Sequence, residues 1–102
     1  MRVITIKPLR AFWQRYRDAQ KPLENWFRTT EASDWRDFME LRRTFGHADT
    51  AKVASGHTVT IFDIAGNKYR LVTAIHYNTG VVYAMMVLTH QEYDKQKWKD
   101  LL

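Results

Sequence analysis

The spacing of hydrophobic residues changes near residue 57, and this change limits the fold more than any other feature of the chain. Before it, apolar side chains recur every three or four residues, as on one face of a helix. After it, β-branched and aromatic residues recur every second residue, as in strands. Helices in one half and strands in the other predict an α+β domain with helices on one face of an antiparallel sheet.

The first half is predicted to hold a short N-terminal strand and three helices. Residues 3–6 alternate as a strand does, and Pro8 and Pro22 each suit the first turn of a helix. Two helices are indicated by apolar residues at i, i+3, i+4 and i+7, namely Leu9, Phe12, Trp13 and Tyr16, then Leu23, Trp26, Phe27 and Thr30. Ser33 or Asp34 is the expected N-cap of a third helix that ends at Gly46.

The second half is predicted to form an antiparallel meander after a loop over residues 46–57. Strands are expected over residues 58–64, 68–77 and 80–88. Residues 66–67 and 78–80 accept the positive φ of hairpin turns, so they separate the strands. Thr89 and Glu92 have the spacing of a capping box, which predicts a final short helix through Trp98. We therefore expect one domain over residues 1–102.

Charge and composition narrow the functional classes. Sixteen Lys and Arg against eleven Asp and Glu give a net charge of +5, which favours a polyanionic partner. The lack of cysteine excludes a disulfide framework, a thiolate zinc site and a cysteine nucleophile, and it fits a reducing compartment, so a cytoplasmic protein is expected. No apolar run suggests a membrane span or a secretory signal. His47, His57 and His76 lack metal-ligand spacing, so no metal site is expected. No cofactor is expected either.

Three basic residues are candidates for a common site. A three-residue turn at 78–80 would place Arg70 opposite Leu88 and Lys68 opposite His90, whereas a two-residue turn would move His90 away from Lys68. Lys68 and Arg70 are two residues apart, which puts them on one face of a strand, about 7 Å from each other. The opposite face carries bulkier residues for the helices, so the basic cluster is expected on the open face.

The predicted start of the last helix adds acid–base chemistry. His90 would stand where free N–H groups and the positive end of the helix dipole attract an anion such as phosphate. Its imidazole can donate or accept a proton. Tyr93, one turn later, can stack on a base or contact a phosphate, and Asp94 can orient a histidine or an arginine.

Each of these residues also has a purely structural interpretation. Arg70 would pair with Asp63 across a two-residue turn, Lys68 would be solvated beside that turn, His90 would only begin the helix and Tyr93 would join the core. The chain contains no Gly-rich phosphate loop, no paired-carboxylate motif and no nucleophilic serine elbow, so those enzyme classes lack support.

Two segments together resemble the paired signature of HigB-type toxins, a RelE-like branch of the type II toxin-antitoxin systems. They are residues 66–72 (Gly-Asn-Lys-Tyr-Arg-Leu-Val) and residues 87–95 (Val-Leu-Thr-His-Gln-Glu-Tyr-Asp-Lys). Residues 34–38 and 41–45, with Ala48 and Asp49, are similar to the middle helix and loop of that family. The resemblance covers essentially the whole chain.

The resemblance implies a RelE-like fold and an mRNA interferase. This is an endoribonuclease that cuts mRNA, usually on the ribosome, through metal-independent attack of a ribose 2′-OH. It also implies silencing by a cognate HigA-like antitoxin with a helix-turn-helix domain, which the net charge would attract through an acidic segment.

Particular positions match those of the family. Arg70 would stabilise the pentacoordinate phosphate and His90 would transfer a proton, so Arg70→Ala and His90→Ala are expected to relieve growth arrest with the fold intact. The resemblance thus implies catalytic roles for Arg70, His90 and Tyr93 and RNA contacts for Lys68, Asn67 and Lys95.

One position departs from the family, because relatives often carry an arginine in the last strand where this chain has Met85. The predicted register puts position 85 on the face opposite Arg70. RelE-like folds also include members that poison DNA gyrase, so the alternative function is a non-catalytic binder, either a gyrase poison or an RNA-binding module.

Overall fold

Five strands form one mixed sheet in the order β1-β5-β4-β3-β2 in the computed structural model, which describes residues 1–102. The strands are β1 (Arg2–Ile4), β2 (Asp49–Lys52), β3 (Thr58–Ile64), β4 (Tyr69–His76) and β5 (Val81–Thr89). The helices are α1 (Lys7–Arg15), α2 (Gln20–Glu31), α3 (Phe38–Thr44) and α4 (His90–Asp94), with 3-10 turns at Arg17–Ala19 and Lys97–Leu101. The predicted α+β class and the antiparallel meander of β3, β4 and β5 are confirmed. The N-terminal strand β1 joins the sheet by parallel pairing with β5.

The main core lies between the helices and one face of the sheet, as the sequence predicts. Both α1 and α2 carry their proline in the first turn and bury their apolar face. The core includes Leu9, Leu23, Trp26, Trp35, Leu41, Phe62, Ile64 and Leu71. No helix is long and apolar enough to cross a membrane.

The segment 46–57 is not only a loop. Asp49–Lys52 form β2, which pairs antiparallel with β3 at the edge of the sheet. Three of its four residues are exposed and only Ala51 is half-buried. An exposed edge strand of this length carries no alternation of polar and apolar residues, which is why the sequence pattern missed it.

The third helix begins later than predicted. Its N-cap is Asp37, whose carboxylate accepts a hydrogen bond from the N–H of Glu40 at 2.9 Å. The expected cap at Ser33 or Asp34 is wrong, because the Ser33 hydroxyl instead donates to the Thr29 carbonyl at the end of α2. A side chain that bonds the preceding turn cannot also cap the following helix.

The pairing of β4 with β5 changes register by one residue at a β-bulge. Arg70 lies opposite Leu88, as predicted, but His76 lies opposite Val81, so the turn has four residues rather than three. The extra residue that reconciles the two registers is Met85. The predicted register near Arg70 is thus confirmed, although the three-residue turn from which it was derived is wrong.

The bulge changes which side chains face the helices, because alternation restarts after an extra residue. Ala84 is buried in the main core and Tyr83 is exposed, although the bulkier residues were expected to face the helices. Met85 lines a groove with Ala74, which shares its face of the sheet with Arg70. Met85 also lines a groove with Phe12 of α1, so the bulge residue reaches both sides of the sheet and its expected place opposite Arg70 is correct only in part.

The face away from α1 and α2 is covered at its centre by the C-terminus. Here α4 ends at Asp94 rather than continuing through Trp98, since Gln96 adopts a φ of 64°. The following 3-10 turn brings Trp98 onto the sheet, where its indole donates to the Tyr93 carbonyl at 3.1 Å. A second, smaller core results, made of Val53, Val59, Ile61, Val72 and Trp98.

Candidate active site

The start of α4 is fixed by the predicted capping box. The Thr89 hydroxyl accepts a hydrogen bond from the N–H of Glu92 at 3.2 Å, and the Glu92 carboxylate accepts one from the N–H of Thr89 at 2.9 Å. The N–H of His90 donates to the Lys68 carbonyl at 2.9 Å. These bonds join the beginning of β4 to the beginning of α4 and hold His90 beside Lys68.

The same bonds correct one expectation about this helix start. The N–H groups of His90 and Glu92 already donate to protein oxygens, so these two are not free to bind an anion. Phosphate binding by these two amides is therefore excluded, and the side chains of Lys68 and His90 remain as ligands.

A shallow depression on the surface brings Lys68 and His90 together. Its lining also includes Tyr16, Asp18 and Glu92. The side chain of Lys68 is 64% exposed and that of His90 is 50% exposed, so a substrate can reach both. An ammonium group and an imidazole on one open surface suit an extended polyanion.

The ammonium of Lys68 has a carboxylate partner that the sequence did not indicate. Its Nζ donates to Asp18 Oδ2 at 3.1 Å, and the Tyr69 hydroxyl donates to Asp18 Oδ1 at 2.6 Å. These two hydrogen bonds lower the pKa of Asp18. The bond to Asp18 and burial raise the pKa of Tyr69 to about 12.

A carboxylate also accompanies the imidazole of His90. Asp94 Oδ2 lies 3.1 Å from His90 Nε2, one helical turn away, which confirms that Asp94 contacts a histidine. With Nε2 facing Asp94, the other ring nitrogen, Nδ1, is the one left to exchange a proton with a substrate.

Arg70 is held from several directions by the protein itself. Its Nε lies 3.1 Å from Asp63 Oδ1, and its Nη1 donates to the carbonyls of Asn67 at 2.9 Å and Tyr69 at 3.2 Å. The guanidinium carbon is 5.3 Å from the centre of the Tyr93 ring. The Arg70 side chain is only 13% exposed. The predicted pairing of Arg70 with Asp63 is thus confirmed.

The expected cluster of three basic groups on one face is wrong. Lys68 belongs to the turn before β4, so the alternation of a strand does not apply to it, and its ammonium reaches Asp18 on the helix side. Arg70 contacts Asp63 and Tyr93 on the other side of the sheet. The structure therefore brings Lys68 together with His90 and places Arg70 behind them.

The other predicted site residues lie around this centre. Tyr93 is half-buried and stacks on Trp98 with ring centres 5.5 Å apart, and burial raises the pKa of its hydroxyl. Asn67 is exposed in the turn before β4, and Lys95 is exposed directly after α4. Neither the Asn67 nor the Lys95 side chain forms a hydrogen bond or an ion pair.

Two residues of the depression were missed by the sequence. Tyr16 ends α1 and Asp18 lies in the 3-10 turn that follows, about fifty residues before Lys68 along the chain. No local pattern links residues so far apart, and only the packing of the helices on the sheet brings them to His90. No group of three or more His, Asp or Glu side chains lies close enough to hold a metal ion.

Comparison with known proteins identifies a related family. Residues 19–96 match the sequence model of the HigB toxin family, described as the RelE-like toxic component of a toxin-antitoxin system. The match begins just after Asp18 and includes Lys68, Arg70, His90 and Tyr93. No curated protein matches the chain.

Proposed function

Because this chain belongs to the HigB family of RelE-like toxins, the toxic components of toxin-antitoxin systems, we propose that it is an endoribonuclease that cleaves mRNA. The observation that carries the proposal is that the accessible side chains of Lys68 and His90 line the same open depression. Together they offer a proton-transfer group and a cation to a phosphodiester on an open surface.

The proposed reaction is an internal transfer of the phosphoryl group. A base removes the proton of a ribose 2′-OH, and the 2′ oxygen attacks the adjacent phosphorus. A bond from O2′ to phosphorus forms and the bond to O5′ breaks, which leaves a 2′,3′-cyclic phosphate on one fragment. The departing O5′ takes up a proton and ends as a 5′-hydroxyl on the other fragment.

We assign the proton transfer to His90, through Nδ1. Asp94 contacts the opposite ring nitrogen at 3.1 Å and so fixes the orientation of the imidazole. Lys68 would bind a non-bridging oxygen of the phosphate, whose negative charge increases as the 2′ oxygen attacks.

Arg70 enters the proposal through one nitrogen. Its Nε and Nη1 face protein oxygens, and Nη2 is the guanidinium nitrogen without a hydrogen bond or ion pair to the protein. We assign Nη2 to a phosphate of the RNA strand and Tyr93 to the neighbouring nucleotide. Asn67 and Lys95 flank the site and would contact the RNA strand beyond it.

The toxin has an antitoxin partner, as its family implies. We further propose a HigA-like helix-turn-helix antitoxin, whose acidic segment the net charge of +5 would attract. Purified toxin and the product of a neighbouring small gene should form a complex at micromolar concentration and low salt. Failure to do so would remove the antitoxin proposal and leave the nuclease proposal in place.

Incubation of the purified toxin with end-labelled mRNA, alone and with ribosomes translating it, tests the reaction directly. We expect cleavage with ribosomes present and fragments that end in a 2′,3′-cyclic phosphate. A 2′-deoxy nucleotide at the cleaved position should abolish the cut, because it lacks the attacking oxygen. Intact RNA in both mixtures would contradict the proposal and favour a non-catalytic binder such as a gyrase poison.

A further inference from the structure

The carboxylate of Asp18 stands between a buried tyrosine and the exposed Lys68. One of its oxygens accepts a hydrogen bond from the Tyr69 hydroxyl at 2.6 Å and the other accepts one from Lys68 Nζ at 3.1 Å. The three side chains line the same depression as His90. Asp18 is therefore linked both to the core and to the proposed phosphate ligand.

The anchor of this arrangement is rigid. The Tyr69 residue is only 7% exposed, and its ring packs against Phe12 at 5.0 Å and Tyr16 at 5.6 Å between ring centres. Its hydroxyl is held by the main core, because a buried ring in contact with two others has few alternative positions. The carboxylate oxygen that it bonds is held in turn.

Lys68 needs such an external constraint. Its side chain is 64% exposed, in a turn, and four flexible carbons separate the ammonium from the backbone. A free lysine at this position would sample many rotamers, and ordering it on substrate binding would weaken that binding. An ammonium has three donors, so the bond to Asp18 leaves two for a phosphate.

We propose that Asp18, fixed by the Tyr69 hydroxyl, is a positioning residue that holds the Lys68 ammonium in the depression that His90 also lines, ready for a phosphate of the RNA. The inference rests on the proposed function only in naming RNA as the ligand. Asp18 lies outside the residues that match the family, because the match begins at residue 19.

Two other roles for Asp18 predict different results. A carboxylate that competes with phosphate for Lys68 would weaken RNA binding, so its removal would strengthen binding. A carboxylate that only stabilises the fold would affect the melting temperature and leave RNA binding unchanged. Binding of RNA therefore distinguishes the three roles.

The test uses the full chain and a single-stranded RNA oligonucleotide with 2′-O-methyl groups, which cannot be cut through the 2′ oxygen. In Asp18→Asn, the amide oxygen can still accept the hydrogen bond from the Tyr69 hydroxyl. The amide nitrogen then faces Lys68, and it cannot accept a hydrogen bond from the ammonium. We expect the dissociation constant, measured by fluorescence anisotropy at low salt, to rise about threefold, the range of an exposed ion pair. Lys68→Ala should raise it about fivefold or more and reduce its salt dependence.

The decisive measurement is the double variant. If Asp18 acts through Lys68, adding Asp18→Asn to Lys68→Ala should change the dissociation constant no further, whereas independent effects would multiply. Asp34→Asn is the matched control, since Asp34 is exposed and its side chain forms no hydrogen bond or ion pair. Asp34→Asn changes the net charge by the same amount as Asp18→Asn, and this variant should bind RNA as the unmodified toxin does.

Tyr69→Phe provides a second variant that leaves every charge in place. We expect about twofold weaker binding, which disappears in the Lys68→Ala background. Tighter binding by Asp18→Asn, multiplying effects in the double variant, or no difference from Asp34→Asn would each overturn the inference. Binding without cleavage of unmodified mRNA would reject the proposed function alone, and no RNA binding by the unmodified toxin would reject both.

Discussion

Replacing Arg70 by alanine should destabilise the toxin, whereas replacing His90 should not. Loss of Arg70 removes two hydrogen bonds to backbone carbonyls and one ion pair to Asp63, all around a side chain that is 13% exposed. Each hydrogen bond contributes about 1 kcal/mol and a partly exposed ion pair about 1 kcal/mol or less, so the free energy of unfolding should fall by about 2–3 kcal/mol. For a domain of this size, that lowers the melting temperature by roughly 10–20 °C.

The comparison with His90 makes this prediction specific. The His90 side chain is half-exposed and its carboxylate contact is on the surface, so His90→Ala should change the free energy of unfolding by about 0.5 kcal/mol or less. Lys95→Ala is the control for charge, because it removes one cation, as Arg70→Ala does, but no hydrogen bond or ion pair. Urea denaturation of the three purified variants measures the differences.

Equal stability of Arg70→Ala and Lys95→Ala would show that the contacts of Arg70 do not stabilise the fold. The structure thus revises the expectation that both site substitutions leave the fold intact. Loss of toxicity in Arg70→Ala would report lost folding as well as lost chemistry, and His90 is the residue whose substitution tests the chemistry by itself.

Three further predictions concern the surroundings of the site. Asp94→Asn should reduce the rate of RNA cleavage by roughly three- to tenfold at unchanged RNA binding, because His90 loses its orienting carboxylate; an unchanged rate constant would exclude that role. Thr89→Ala should reduce the free energy of unfolding by about 1 kcal/mol, seen in urea denaturation, because the capping box is lost. Because the pKa of Tyr69 is raised to about 12 in the fold, its proton stabilises the protein below pH 10 and this stabilisation is lost as the pH rises through 12. Tyr69→Phe should flatten the loss of stability between pH 10 and 12, and a slope equal to that of the unmodified toxin would contradict the hydrogen bond to Asp18.

Elements encoded by short-range patterns could be predicted from the sequence. The capping box at Thr89, the start of α4 at His90 and the pairing of Arg70 with Asp63 all depend on residues close together in the sequence or on one hairpin. The helices α1 and α2 were found by their apolar spacing for the same reason.

The features that were missed depend on packing or on one extra residue. The bulge at Met85 leaves the pattern of β-branched residues almost unchanged, yet it reverses the faces of Tyr83 and Ala84. The bond between Asp18 and Lys68 joins segments fifty residues apart and exists only once α1 has packed on the sheet. Long-range contacts of this kind have no local signature in the chain.

The proposed function requires that His90 act in RNA cleavage inside the cell. The measurement is a map of RNA 5′ ends after brief expression of the toxin and of His90→Gln, with both proteins present at equal levels and equally stable. We predict new 5′-hydroxyl ends within coding regions for the unmodified toxin, and at least about a hundredfold fewer for His90→Gln together with restored growth. Growth arrest without new 5′ ends, or the same ends in both strains, would show that His90 does not carry out RNA cleavage.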